Sequence, residues 1–217
     1  VTPPRKRFVL GVGTGRSGTQ SLAALLHAQP GCFVTHELRH PVTGKRPGLL
    51  PSWHGSTNQF VNVFDFLRSY PGTLVGDVGF YWLPFLEFLL ESGGVDVRVI
   101  GLRRPRDGTV KSYLARTDTR RHYWLAKVPV DKCAPDFYYS YPKYVTETSQ
   151  EALVAYWNGY MDRLRDLQRR YPDGLRVWGM SRALNTRKGV REVLSFAGVP
   201  KTQQQVHVGV RLNQRSR

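Results

Sequence analysis

Between Gly13 and Ser21 the chain reads Gly-Thr-Gly-Arg-Ser-Gly-Thr-Gln-Ser, a guanidinium and several hydroxyl and amide side chains in a glycine-rich turn. Such donors can follow negative charge on a phosphate-like group while it is transferred. Arg103, Arg104, Pro105 and Ser112 repeat the pairing of guanidinium and hydroxyl, and 86 positions separate Gly18 from Arg104. His36, Glu37 and Asp77 are the groups able to take a proton. In a strand the first two point to opposite faces, so one of them is expected to face the turn.

These residues need elements to carry them. Phe8–Val12 is a short apolar run of the kind buried in a parallel sheet, and Leu22, Leu25 and Leu26 recur at helical spacing from about Gly18 or Thr19. The helix start then faces the turn with unpaired amides and the positive end of its dipole, a ready anion site. Cys32–Thr35, Thr73–Gly76, Val97–Leu102 and Leu175–Trp178 read as further strands, and Phe60–Ser69 and Arg187–Ala197 as helices. DVGFYWLPFLEFLLES reads as one apolar helix with Pro84 in its first turn, and Pro105 opens another. Thr148 and Glu151 form a capping box ahead of a stripe of Leu153, Trp157, Tyr160, Leu164 and Leu167. KTQQQ and QRSR read as a frayed tail.

Strand and helix alternate, which predicts an α/β fold: a three-layer sandwich with a central parallel sheet flanked by helices, ligands binding at the carboxyl ends of the strands. One domain spans 1–217, and the irregular segments 39–58 and 117–147 are expected to form the acceptor side. Tyr138, Tyr139, Tyr141 and Tyr144 could line an aromatic pocket there.

The turn also fits GxGxxG, and Glu37 stands 19 positions past Gly18, near where a Rossmann domain keeps its ribose-binding acid. An NAD(P)-dependent oxidoreductase is therefore an alternative, though it leaves RRPRDGTVKS unassigned. A nucleotide triphosphatase is disfavoured because GxxxxGK[ST] lacks its lysine.

GTGRSGTQSLAALL resembles the 5′-phosphosulfate loop of the sulfotransferases that use 3′-phosphoadenosine 5′-phosphosulfate (PAPS). VRVIGLRRPRDGTVKSYL is similar to their second signature, in which an Arg, a Pro and a Ser on the ensuing helix hold the 3′-phosphate. Arg187-Lys188-Gly189 is only a faint echo of their third element. The resemblance implies a P-loop NTPase-like sulfotransferase fold and PAPS as sulfuryl donor, with no metal. It assigns Gly15, Arg16, Ser17, Gly18, Thr19 and Gln20 to the phosphosulfate, and Arg103 or Arg104 with Ser112 to the 3′-phosphate. Many members place the arginine two before the proline, which is Arg103 here, so both are carried. The base is expected to be Glu37 by family position, with His36 next and Asp77 third, and Arg16 acts beside it in catalysis.

Composition bounds the partners. There are 32 Lys plus Arg against 16 Asp plus Glu, a net charge of +16, which favours an anionic ligand. A nucleic-acid-binding module would also suit that charge, but no zinc-finger, basic-zipper or RNP signature is present, so nucleic acid is not expected. The expected acceptor is a small hydroxylated molecule or glycan, with an anionic one left open. Cys32 and Cys133 lack metal-ligand spacing, as do His40 and His54. No apolar run reaches membrane-span length, and VTPPRKR lacks the apolar region of a signal peptide, so a cytoplasmic location is expected.

Overall fold

The computed structural model describes residues 6–46, 48, 50–55, 57–92, 95–115 and 123–209. QRSR and the stretch 117–122 of the second irregular segment lie outside the described residues. Five strands, β1 (Arg7–Val12), β2 (Cys32–His36), β3 (Leu74–Val78), β4 (Asp96–Arg103) and β5 (Leu175–Gly179), form one parallel sheet in the order β2-β3-β1-β4-β5. Helices follow the strands: α1 (Thr19–His27), α2 (Thr57–Ser69), α3 (Leu86–Glu91), α4 (Arg106–Leu114), the short α5 (Pro135–Tyr138), α6 (Ser149–Arg170), α7 (Met180–Asn185) and α8 (Arg187–Ala197).

Alternation in β1 divides the core. Phe8, Leu10 and Val12 pack on one face with Phe64 and Leu67 of α2, Leu86 of α3, Tyr113 of α4 and Leu153, Tyr156, Tyr160 and Leu164 of α6. Val9 packs on the other with Leu22 and Leu26 of α1, Leu184 of α7 and Val190 and Leu194 of α8. A strand turns successive side chains to opposite faces, so one sheet holds two helix layers and the sandwich has three. Parallel register brings the carboxyl ends together: Gly11 pairs with both Val78 and Ile100, His36 with Val78, and Arg103 with Gly179.

Several local expectations need correction. DVGFYWLPFLEFLLES is not one helix. Asp77 and Val78 finish β3, Phe80–Phe85 is a 3-10 turn with Pro84 inside it, and α3 starts only at Leu86. Proline has no N–H to give an α-helical ladder, and Trp82 and Tyr81 are fully buried in the tighter turn. On α6 the buried stripe runs through Tyr156 rather than Trp157, which is half-buried at the rim. KTQQQ is held down as well. Lys201–Gln203 forms a 3-10 turn, and the Gln205 backbone exchanges two hydrogen bonds with the buried amide of Gln29, at 2.8 and 3.0 Å. The capping box is present: Glu151 N–H donates to Thr148 Oγ1 (3.2 Å), and Thr148 N–H donates to Glu151 Oε2 (3.0 Å). Among the described residues no helix is long and apolar enough to cross a membrane.

Candidate functional site

The glycine-rich turn leaves β1 and enters α1 at the carboxyl edge of the sheet. Gly15 and Gly18 have φ of 77° and 87°, in the left-handed region, and Arg16 between them has φ of 53°. Gly18 is the N-cap of α1 and supplies no side chain to cap it. A left-handed residue followed by a helical one turns consecutive amides into a shared concavity. Among the described residues no acceptor meets the amides of Gly15, Ser17 or Gly18. The outer side of the turn, by contrast, is tied down. Tyr113 and Tyr156 both donate their hydroxyls to the Thr14 carbonyl, the latter at 3.0 Å. The Tyr160 hydroxyl accepts from Gly13 N–H (3.1 Å) and donates to the Phe80 carbonyl (2.9 Å). These three phenols lie in the core with their pKa values raised by burial.

The second motif closes against the first. Arg16 Nε donates to Ser112 Oγ at 3.2 Å, and Arg104 Nη1 donates to the Arg16 carbonyl at 2.8 Å. The Arg104 carbonyl in turn accepts from Trp157 Nε1 at 3.1 Å. Arg104 is half-buried in this contact, while Arg103 is exposed at the end of β4. Thr19 is buried and Gln20 half-buried on the first turn of α1, whereas the buried Ser17 hydroxyl has no hydrogen-bond partner among the described residues.

The three candidate bases differ sharply. His36 ends β2, and its Nε2 lies 3.2 Å from Thr19 Oγ1. Burial, with the charges of Arg46 and Arg39, pushes its pKa down to about 4, so its imidazole is neutral near pH 7. Glu37, expected within the strand beside His36, lies just past its end. With Leu38 it makes a tight turn, φ 51° and 59°, closed by Arg39 N–H on the His36 carbonyl at 3.1 Å. Strand alternation therefore does not set its direction. Its carboxylate is 3.6 Å from Arg46 and its charge raises the pKa values of Tyr113, Tyr141 and Tyr156, behind burial as the larger cause for each. Glu37 thus pairs with Arg46 at the carboxyl edge of the sheet, just past the end of β2. Asp77 is wholly buried, and both its oxygens accept from neighbours. It has no route to a substrate proton.

The two irregular segments meet above this edge. Trp53 N–H and Ser52 Oγ donate to the Tyr139 carbonyl at 3.0 and 3.2 Å, and the Trp53 ring lies against Tyr156 and Tyr160. Of the four tyrosines expected in a pocket, Tyr141 is buried, stacked on Phe80 with centroids 4.1 Å apart, while Tyr139 is exposed. Lys143 sits over the Tyr138 ring at 3.8 Å, and burial lowers its pKa to about 8. In the sequence Tyr160 belongs only to a core stripe, and nothing there marks Tyr113, Tyr156 or Arg46 as part of the site. The nearest signal is a pair of tyrosines at i and i+4 inside an apolar helix stripe, since buried phenols need partners. Neither models of known protein families nor curated proteins gave a match to this chain.

Proposed function

We propose that the protein is a sulfotransferase that moves the sulfuryl group of PAPS to a hydroxyl acceptor and releases adenosine 3′,5′-bisphosphate. The observation that carries the reading is the contact of the two motifs, Arg16 Nε with Ser112 Oγ, beside the uncapped start of α1. A nucleotide with phosphates at both ends needs these sites adjacent, one anion on the helix terminus and the other on guanidinium and hydroxyl. On this reading the amides from Gly15 to Thr19 cradle the phosphosulfate, and Thr19 and Gln20 bind its phosphate oxygens. Ser112 with Arg104 or Arg103 takes the 3′-phosphate.

The acceptor oxygen bonds to sulfur as the bond from sulfur to the bridging phosphate oxygen breaks. Arg16 neutralises the charge that builds on that bridging oxygen. Glu37 takes the acceptor proton, and the neutral His36 ring orients the Thr19 hydroxyl. Segments 39–55 and 123–147 supply the acceptor side, a wall of Trp53 and tyrosines with Lys143 over the Tyr138 ring, suited to an aromatic or anionic hydroxyl compound. The strand order argues against the oxidoreductase alternative. β3 separates β1 from β2 here, whereas the usual dinucleotide-binding order sets β2, with its ribose-binding acid, directly beside β1.

Sulfuryl transfer from PAPS to a panel of phenols and sugars tests the proposal. Arg16→Ala is expected to lower turnover about 100-fold, the effect of one lost donor aimed at the transition state. Ser112→Ala is expected to weaken nucleotide binding about tenfold, as for a hydrogen bond to a charged group. Unchanged turnover by both variants would contradict the assignment.

A further inference from the structure

The turn that presents Glu37 is built from the wrong residues. A closed turn with positive φ at both central positions is ordinarily made by Gly, Asn or Asp, yet Glu37 and Leu38 occupy it at 51° and 59°. Side chains in this region are disfavoured, and such strain persists only where the surroundings fix it. Three contacts do so. Leu38 buries its side chain almost completely in the core. Glu37 N–H donates to the Val78 carbonyl at 3.0 Å. Leu38 N–H, which a turn of this kind leaves unused, donates to Asp77 Oδ1 at 2.8 Å.

Asp77 is itself fully determined. Its Oδ1 also accepts from Thr35 Oγ1 at 2.5 Å, and its Oδ2 accepts from Tyr81 Oη at 2.6 Å and Trp82 Nε1 at 2.7 Å. Four donors and no solvent surround it. A buried carboxylate is expensive to place, and a core needing only packing is served as well by an apolar residue. The donors divide in a telling way. Those on Oδ2 come from the 3-10 turn below the sheet edge, and those on Oδ1 come from β2 and from the strained turn that follows it.

We propose that Asp77 is a positioning residue for Glu37: held by Tyr81 and Trp82, its carboxylate captures Leu38 N–H and fixes the left-handed Glu37-Leu38 turn that presents Glu37 at the carboxyl edge of the sheet. The inference rests on the sulfotransferase reading, in which Glu37 is the base. Asp77 itself exchanges no proton with substrate.

The test compares Asp77→Asn, Thr35→Val, Tyr81→Phe and Glu37→Gln in PAPS turnover, adenosine 3′,5′-bisphosphate binding, thermal unfolding and hydrogen exchange of the Leu38 amide. Glu37→Gln is expected to lose activity at least about 100-fold, the effect of a general base. Asp77→Asn is expected to lose turnover about 100-fold through misplacement of that base, with nucleotide affinity unchanged and faster Leu38 exchange. Thr35→Val, the milder change should Asp77→Asn fail to fold, is expected to show the same pattern more weakly. Tyr81→Phe removes one of the two donors that hold Oδ2 while Trp82 Nε1 and Leu38 N–H stay in place, so it is expected to lower Tm and to lose turnover clearly less than Asp77→Asn. Full activity in Asp77→Asn or Thr35→Val beside an inactive Glu37→Gln would overturn the proposal. So would losses in Asp77→Asn and Tyr81→Phe that follow Tm alone. An active Glu37→Gln would instead remove the base assignment on which the proposal stands.

Discussion

At the scale of single residues the site separates groups by what they can touch. His36 carries a testable electrostatic signature, because burial and two neighbouring arginines depress its pKa from 6.5 to about 4. Below pH 6.5 the unfolded chain takes up a proton that the folded chain refuses. The resulting loss of stability grows as pH falls and levels off near pH 4, reaching on the order of 3 kcal/mol for a shift of this size. Urea unfolding of the parent and of His36→Gln from pH 7 to 4 checks this. The variant is expected to be the flatter, and parallel curves would show that the His36 proton does not count. The depressed pKa was not legible in the sequence, which offers His36 only as a candidate base next to Glu37. Arg39 closes the tight turn at Glu37-Leu38 and Arg46 donates to the Glu37 carbonyl, and no glycine or asparagine advertises that turn.

At the scale of elements, the chain's local signals and its distant contacts fared differently. The transitions from β1 to α1 and from β4 to α4 could be read directly, since glycines and Pro105 mark where strand geometry ends. The clamp on the glycine-rich turn could not. Tyr156 and Tyr160 stand more than 140 positions from Thr14 and Gly13, which they bind, and a hydroxyl inside an apolar stripe does not name its partner. Pro84 misled for a related reason: a buried 3-10 turn and the start of an apolar helix have the same composition. The clamp makes Gly15 doubly constrained. Its φ is 77°, and an added Cβ would run into the Tyr113 hydroxyl. Gly15→Ala is therefore expected to displace the turn and destabilise the fold by about 1–3 kcal/mol, with nucleotide affinity lost. Thr148→Ala serves as the comparison, since removing the α6 cap should cost about 1 kcal/mol and leave affinity unchanged. Thermal unfolding and nucleotide titration of both variants separate the two effects. Equal affinity in both would mean the turn does not bind nucleotide.

At the scale of the whole molecule, the parallel sheet brings His36, the glycine-rich turn and Arg103-Arg104 to one edge, although they lie far apart in sequence. Alternating strands and helices predicted that gathering, but the order of the strands comes only from the fold. The net charge of +16 favours an anionic ligand, and the arginines at that edge, Arg16, Arg39, Arg46, Arg103 and Arg104, put part of it where the nucleotide is proposed to lie. The tie between Arg16, Ser112 and Arg104 holds the account together, because it makes one site out of two motifs. Calorimetric titration with adenosine 3′,5′-bisphosphate, beside AMP and NADH, tests that claim most directly. The account predicts tight binding that requires the 3′-phosphate, with AMP much weaker and NADH without effect; equal binding of AMP, or a preference for NADH, would contradict it.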